Sequence, residues 1–232
     1  MKIAILSDIH GNLEALKAVL KTVDKLGIHK LWVLGDTLGH YYQAAEAFAL
    51  LEKYDTLTIK GNHELIFLDY LKGKNREEIN KKYGNCYAFY QKTFSKELIT
   101  KIKQLDEIKT ITHQKTTIKL IHEAPKTGGY VYPTEKKLTL QALEGDCDIV
   151  FMGHTHYPMV YFGSKTKIIN VGSVGQNRVI GGIASWGVFN LENQVFQQMS
   201  TTYNQEKTKE NLIKHQEKKA YLYQVLTRNN EQ

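Results

Sequence analysis

The chain has 232 residues, 42% of them hydrophobic and 24% charged, a formal net charge of +7 and two cysteines. That length can bury a substantial core in one domain, and the composition is that of an ordinary globular protein rather than a disordered one. Cys86 and Cys147 stand far apart without a CxxC spacing, which argues against a disulfide framework, and no apolar run reaches the ~18 residues that span a bilayer.

The lysines are scattered over predicted helix faces and the C-terminal tail, so the positive charge reads as solvated surface, and nucleic acid is not the expected main partner. Met1 leads straight into an apolar run, so no leader segment is expected. With two reduced thiols, the expected location is the cytoplasm.

Lys2-Ile3-Ala4-Ile5-Leu6 predicts a buried strand. Ser7-Asp8-Ile9-His10-Gly11-Asn12 follows. In an extended segment Asp8 and His10 point to one side, just past the strand's carboxyl end, where open α/β sheets place their sites. Residues 13–26 carry Leu13, Leu16, Val19, Leu20, Val23 and Leu26 at helical spacing. Leu31-Trp32-Val33-Leu34 predicts a second strand, ending in Gly35-Asp36, and residues 43–53 a second helix. Leu57-Thr58-Ile59-Lys60 predicts a third strand, ending in Gly61-Asn62-His63-Glu64. Strand and helix alternate, which implies parallel strands.

Residues 65–108 read as a Lys-rich helical excursion packed beside the strand ends, whose aromatics, Tyr83, Tyr87, Phe89, Tyr90 and Phe94, are expected in the core sooner than as a substrate platform. A hairpin follows, with arms at 110–113 and 117–121, the second ending in His122-Glu123. Gly128-Gly129 marks a loop and residues 134–144 a helix. Asp148-Ile149-Val150-Phe151-Met152 predicts a strand ending in Gly153-His154-Thr155-His156. Short strands near 159–163, 167–171, 184–191 and 194–199 are expected to form a second, largely antiparallel sheet packed on the first. A single helix is expected over 204–227, with a tail to Gln232. No linker divides residues 1–232, so one domain is expected. A homo-oligomer would find contact surfaces on the excursion and the C-terminal helix.

Asp8, His10, Asp36, Asn62, His122, His154 and His156 all fall at the mouths of apolar runs. Alone, each has a bland reading: a strand-end histidine is usually a satisfied polar group, and Asn62 could simply sit in a turn before a helix. Together they form a set of oxygens and imidazoles without thiolate, suited to manganese, iron or zinc. Seven candidate ligands exceed one ion and suit two, about 3.5–4 Å apart, with Asp36 placed to bridge them. His40, four residues after Asp36, is placed to line the mouth. His113 is expected on a strand face, and His29 and His215 at the surface.

The ordered set Asp8-x-His10, Gly35-Asp36, Gly61-Asn62-His63-Glu64, His122 and Gly153-His154-Thr155-His156 resembles the calcineurin-like metallophosphoesterase superfamily. Asn170-Val171-Gly172-Ser173-Val174-Gly175-Gln176-x-Arg178 is similar to its small bacterial and archaeal YfcE-like phosphodiesterase branch. The resemblance implies an α/β fold, a four-layer αββα sandwich of two mixed sheets flanked by helices. It implies that Asp8, His10 and His156 hold one ion, that Asn62, His122 and His154 hold the other, and that Asp36 bridges. The implied ions are manganese first, with iron, zinc, nickel or magnesium as alternatives. The implied reaction is hydrolysis of a small phosphorylated substrate, a phosphodiester or phosphomonoester, by a metal-activated water.

His63 stays off the ions in this pattern and faces the substrate, either protonating the leaving oxygen, holding a phosphoryl oxygen by hydrogen bond, or orienting Asn62. Arg178 could grip a phosphate or sit in a structural salt bridge. Glu123 stands where the family often has glycine, and could tune the adjacent His122 as its outer partner or narrow the mouth and repel anionic substrates. Two other functions share the fold: a metal-silent interaction scaffold and a nuclease.

Overall fold

Side-chain alternation along the first strand sets the layers. In the computed structural model, which describes residues 1–124, 143, 145 and 147–229, β1 spans Lys2–Leu6. Its Ile3 and Ile5 face one core and its Ala4 and Leu6 another, as successive strand residues must. The Ala4/Leu6 face is covered by α1 (Leu13–Lys25), whose buried stripe is Leu13, Ala15, Leu16, Val19, Leu20 and Val23. Asn12 starts that helix by accepting from the Ala15 amide, a side-chain cap on an otherwise orphan donor.

The chain continues through β2 (Lys30–Val33), α2 (Ala44–Leu51) and β3 (Asp55–Thr58), with β1, β2 and β3 parallel. The excursion is four helices, α3 (Asn62–Leu71), α4 (Arg76–Tyr83), α5 (Cys86–Thr93) and α6 (Lys96–Gln104). Next come β4 (Ile108–His113), β5 (Thr116–Ile121), β6 (Ile149–Met152), β7 (Pro158–Phe162), β8 (Lys167–Val171), β9 (Ile183–Asn190) and β10 (Val195–Thr202). Two helices close the described chain, α7 (Gln205–Lys214) and α8 (Ala220–Leu226).

The strands form two five-stranded mixed sheets, ordered β10-β9-β1-β2-β3 and β4-β5-β6-β8-β7. They pack face to face through Ile3, Ile5, Trp32, Leu120, Phe151, Ile169 and Phe189. This is the expected α/β fold of two mixed sheets flanked by helices. The helix expected over 134–144 and the Gly128-Gly129 loop fall outside the described residues, apart from Leu143.

Two expectations are corrected. The strands after residue 158 do not make one sheet of their own: β7 and β8 join the second sheet, while β9 runs antiparallel to β1 and brings β10 with it. The reason is burial, because β9 is covered on both faces from Ala184 to Phe189 and so needs a strand on either side.

The helix expected over 204–227 is broken. Glu217 is buried, and its carboxylate accepts from the Tyr42 hydroxyl at 2.5 Å, the Lys219 amide at 2.9 Å and the Asn85 amide at 3.1 Å. Gln216 beside it turns left-handed at φ 52°. His215, expected at the surface, stacks on Tyr42 with ring centroids 4.2 Å apart. Both closing helices pack on the excursion, in a cluster holding Tyr41, Phe67, Tyr87, Tyr90, Leu212 and Leu222. Among the described residues no helix is long and apolar enough to cross a membrane.

Candidate metal centre

The loops after β1 and β2 are knitted together beyond the strands. The amides of Asp8, His10 and Gly11 donate to the carbonyls of Gly35, Asp36 and Thr37 at 2.8–3.1 Å. Asp8 and His10 share a side for a different reason from the extended backbone expected. Asp8, His10, Asp36, His40, His154 and His156 all take left-handed backbone, with φ from 53° to 69°. That conformation costs a non-glycine residue about 1 kcal/mol or more, and here it aims side chains inward at one pole of the molecule.

Two groups of donors result. In the first, Nε2 of His10 and Nε2 of His156 are 3.0 Å apart, and Oδ1 of Asp8 lies 3.1 Å from His156 Nε2 and 3.7 Å from His10 Nε2. In the second, His122 Nε2 is 3.1 Å from Asp36 Oδ2 and 3.0 Å from Asn62 Oδ1. Nδ1 of His154 is 2.9 Å from that same Asn62 oxygen. Asp36 Oδ2 is also 4.0 Å from His10 Nε2, so this carboxylate stands between the groups. All seven expected ligands therefore converge.

With both rings of the first group neutral, its lone pairs face one another. His10 Nδ1 faces the Leu38 carbonyl at 3.3 Å and His156 Nδ1 the Gln176 carbonyl at 2.8 Å. A neutral imidazole has one N–H, and a carbonyl requires it at Nδ1. Both Nε2 atoms then present lone pairs to each other and to Asp8 Oδ1, a buried oxygen with no hydrogen bond among the described residues. A cation reconciles three converging lone pairs.

The electrostatics agree. Burial and neighbouring imidazoles push His10 well below its usual range, and His154 down to about 4. Burial raises Asp36 despite His122. Burial opposes a charge on His122, but the Asp36 and Asp8 carboxylates override it and lift it to about 10. Burial also opposes charge on Asp8, yet His156 and His122 hold it below the ordinary carboxylate range. The His10 and His154 rings are thus kept neutral, with lone pairs free for a cation, while Asp8 keeps its negative charge.

Glu64 holds the frame and was not singled out from the sequence. It is fully buried, and its carboxylate accepts from the amides of Asp36, Thr37 and Gly61 at 2.8 Å and of Leu38 at 3.3 Å. It thereby clamps the Asp36 loop to the start of α3. Its signal was the spacing from Gly61, that of a capping box. Burial and Asp36 push it up to about 7 against those donors. Two glycines permit the close approach: a Cβ on Gly61 would overlap Asp36 Oδ1, and one on Gly153 would overlap Ser7 Oγ. The Asn170–Gln176 segment is scaffold as well. Asn170 Nδ2 donates to the Gly153 carbonyl at 2.6 Å, and Ser173 Oγ to the Asp8 carbonyl at 2.8 Å.

A pocket of about 200 Å³ opens over the cluster, lined by Asp36, His40, Asn62, His63, Lys82, Tyr83, His154, His156, Arg178 and Tyr221. His63, His40 and Arg178 thus stand where the sequence placed them. His63 is the second residue of α3, its amide 2.8 Å from Asp36 Oδ1. His40 packs 4.7 Å from both the His10 and His63 rings. Arg178 has no carboxylate partner among the described residues, and its buried Nε has no hydrogen bond among them. Sequence reasoning missed Lys82, Tyr221 and the reach of two tyrosines. Of the aromatics read as core before substrate platform, Tyr83 lines the pocket and Tyr87 touches His63.

Two mixed sheets deliver carboxylates, an amide and imidazoles to one pole, where they form a candidate metal centre. The chain belongs to the calcineurin-like phosphoesterase superfamily, whose domain profile matches residues 1–194. It is 30% identical over 233 residues to the uncharacterized protein MJ0912 of Methanocaldococcus jannaschii, a match covering 91% of this chain and 92% of that one. Among solved structures, protein PH1004 of Pyrococcus horikoshii OT3 superposes with a TM-score of 0.86 at 14% identity, covering 100% of this chain and 99% of that one. A metallophosphoesterase of Sphaerobacter thermophilus gives 0.80 at 22% identity, covering 98% of each. These structural likenesses show the fold.

Proposed function

We propose that the protein hydrolyses small phosphate esters, diester or monoester, at a centre of two divalent ions, manganese first among them. Asp8, His10 and His156 would hold one ion, Asn62, His122 and His154 the other, and Asp36 both. The observation that carries this reading is the convergence of lone pairs on Nε2 of His10 and His156 and Oδ1 of Asp8, beside a second cluster that shares Asp36. When bound, two such ions supply an acidified water and offset charge on the phosphoryl oxygens.

The chain's own residues do the rest. His63 lies at the pocket wall and would donate its Nε2–H to a phosphoryl oxygen, holding it as charge develops there. Arg178 would hold a phosphoryl oxygen through its fork of N–H groups. Lys82 adds a second positive wall, and Tyr83 and Tyr221 add apolar surface for the ester group. Metal-free and manganese-loaded protein, assayed on bis-p-nitrophenyl phosphate and p-nitrophenyl phosphate, test this. Hydrolysis that needs the metal supports the proposal, and inert loaded protein favours a scaffold role.

A further inference from the structure

The ligand histidines differ in what holds the ring nitrogen that faces away from the cluster. For His10, His122 and His156 that nitrogen is Nδ1, and each meets a main-chain carbonyl: Leu38 at 3.3 Å, Leu34 at 2.7 Å and Gln176 at 2.8 Å. A backbone carbonyl cannot be exchanged by mutation of its own side chain, so these three rings are fixed by the fold. His154 is turned the other way. Its Nδ1 points into the cluster, 2.9 Å from Asn62 Oδ1, and its outward nitrogen is Nε2, 3.6 Å from Oε2 of Glu123.

We propose that Glu123 is the positioning partner of His154. Its carboxylate accepts the Nε2 proton, which keeps the Nδ1 lone pair turned toward the second ion. The inference rests on the two-ion reading above. Three features support it. Glu123 follows His122, the other imidazole of the second group, so β5 delivers ligand and partner together. Its side chain is half exposed, 45%, on a rotatable stem, so the remaining gap closes by a small rotation. Lys60, which lines the same groove beside Glu123, gives its ammonium to the Lys103 carbonyl at 3.1 Å. A carboxylate behind a ligand imidazole fixes its tautomer and raises its basicity. The second ion's affinity therefore depends in part on a side chain at the mouth, while both imidazoles of the first ion are held by the backbone.

The test is calorimetric titration of metal-free protein with manganese for the wild type, Glu123→Gln and Glu123→Ala. The wild type should take up two ions. Glu123→Ala should leave the first step within twofold and weaken the second by about 10- to 100-fold. Glu123→Gln, which keeps an acceptor but loses the charge, should fall between, a grading that a merely structural role would not produce. Thermal melts of the metal-free variants should match the wild type. Two ions with an unchanged second step in both variants, or equal weakening of both steps, would overturn the role of Glu123 alone. A wild type that binds fewer than two ions would overturn the two-ion reading and this inference with it.

Discussion

The phenol of Tyr87 stands 2.6 Å from Nδ1 of His63. Burial pushes the Tyr87 hydroxyl well above its usual range, so it keeps its proton and donates. Burial and the surrounding imidazoles push His63 well below its usual range, so the ring is neutral. Nδ1 then accepts, and the single imidazole proton sits on Nε2. A core tyrosine thereby selects the tautomer that presents an Nε2–H to the pocket, a hydrogen-bond donor for a phosphoryl oxygen.

His63→Ala is expected to retain both ions and to lower kcat by about 10²–10³-fold, the range for loss of a hydrogen-bond donor to developing charge. Tyr87→Phe removes one hydrogen bond of about 1 kcal/mol and should cost about 3- to 10-fold in kcat with KM little changed. Metal content by mass spectrometry alongside steady-state kinetics checks both. A His63→Ala enzyme at full rate would remove His63 from the chemistry.

Glu64 satisfies four amide donors around the Asp36 loop. Glu64→Ala leaves those donors buried and unpaired, at a cost of about 3 kcal/mol or more. The expected result is a lower melting temperature together with loss of metal, because the loop that carries Asp36 is released. A normal melt and full metal content would contradict the clamp.

Arg178→Ala should raise KM about tenfold or more while kcat changes less, since the guanidinium is read as a phosphate anchor. Arg178→Lys should recover part of the loss but not the forked contact. The measurement is a comparison of monoester and diester substrates across the three proteins. An unchanged KM would return Arg178 to a structural role.

The Glu217 carboxylate gives a pH dependence with a definite sign. Burial alone would raise it, but the Tyr42 hydroxyl and the amides of Asn85 and Lys219 outweigh burial and lower it below its ordinary 4.5. A lowered folded value contributes stability that is fully present above 4.5 and fades as pH falls through the lowered value. Glu217→Gln should therefore melt below the wild type at pH 7, by about 1–3 kcal/mol. The gap should shrink as pH falls below 4.5. A gap that is constant with pH would contradict the assignment.

What could be read from the sequence follows from which forces are local. β1, β2 and α1 announce themselves because Ile3/Ile5, Trp32 and the Leu16–Val23 stripe repeat at strand and helix periods. The seven donors were legible because each closes an apolar run. The break at Glu217 was not, because its partners Tyr42 and Asn85 lie 175 and 132 residues away. The sheet to which β9 belongs was hidden for a similar reason: an all-apolar strand says that it is buried on both faces, not beside what. Tyr87 looked like core because it is core, and nothing local distinguishes a buried tyrosine that also touches His63. The left-handed backbone at Asp8 and His10 was concealed by residue types that usually avoid it.

The central claim is that Asp36 joins two ions. The direct measurement is the electron paramagnetic resonance of metal-free protein titrated with manganese, for the wild type and Asp36→Ala. The account predicts two ions per wild-type chain with an exchange-coupled spectrum, and loss of both tight binding and coupling in Asp36→Ala. Isolated single-ion signals in the wild type, or two coupled ions surviving in Asp36→Ala, would contradict it.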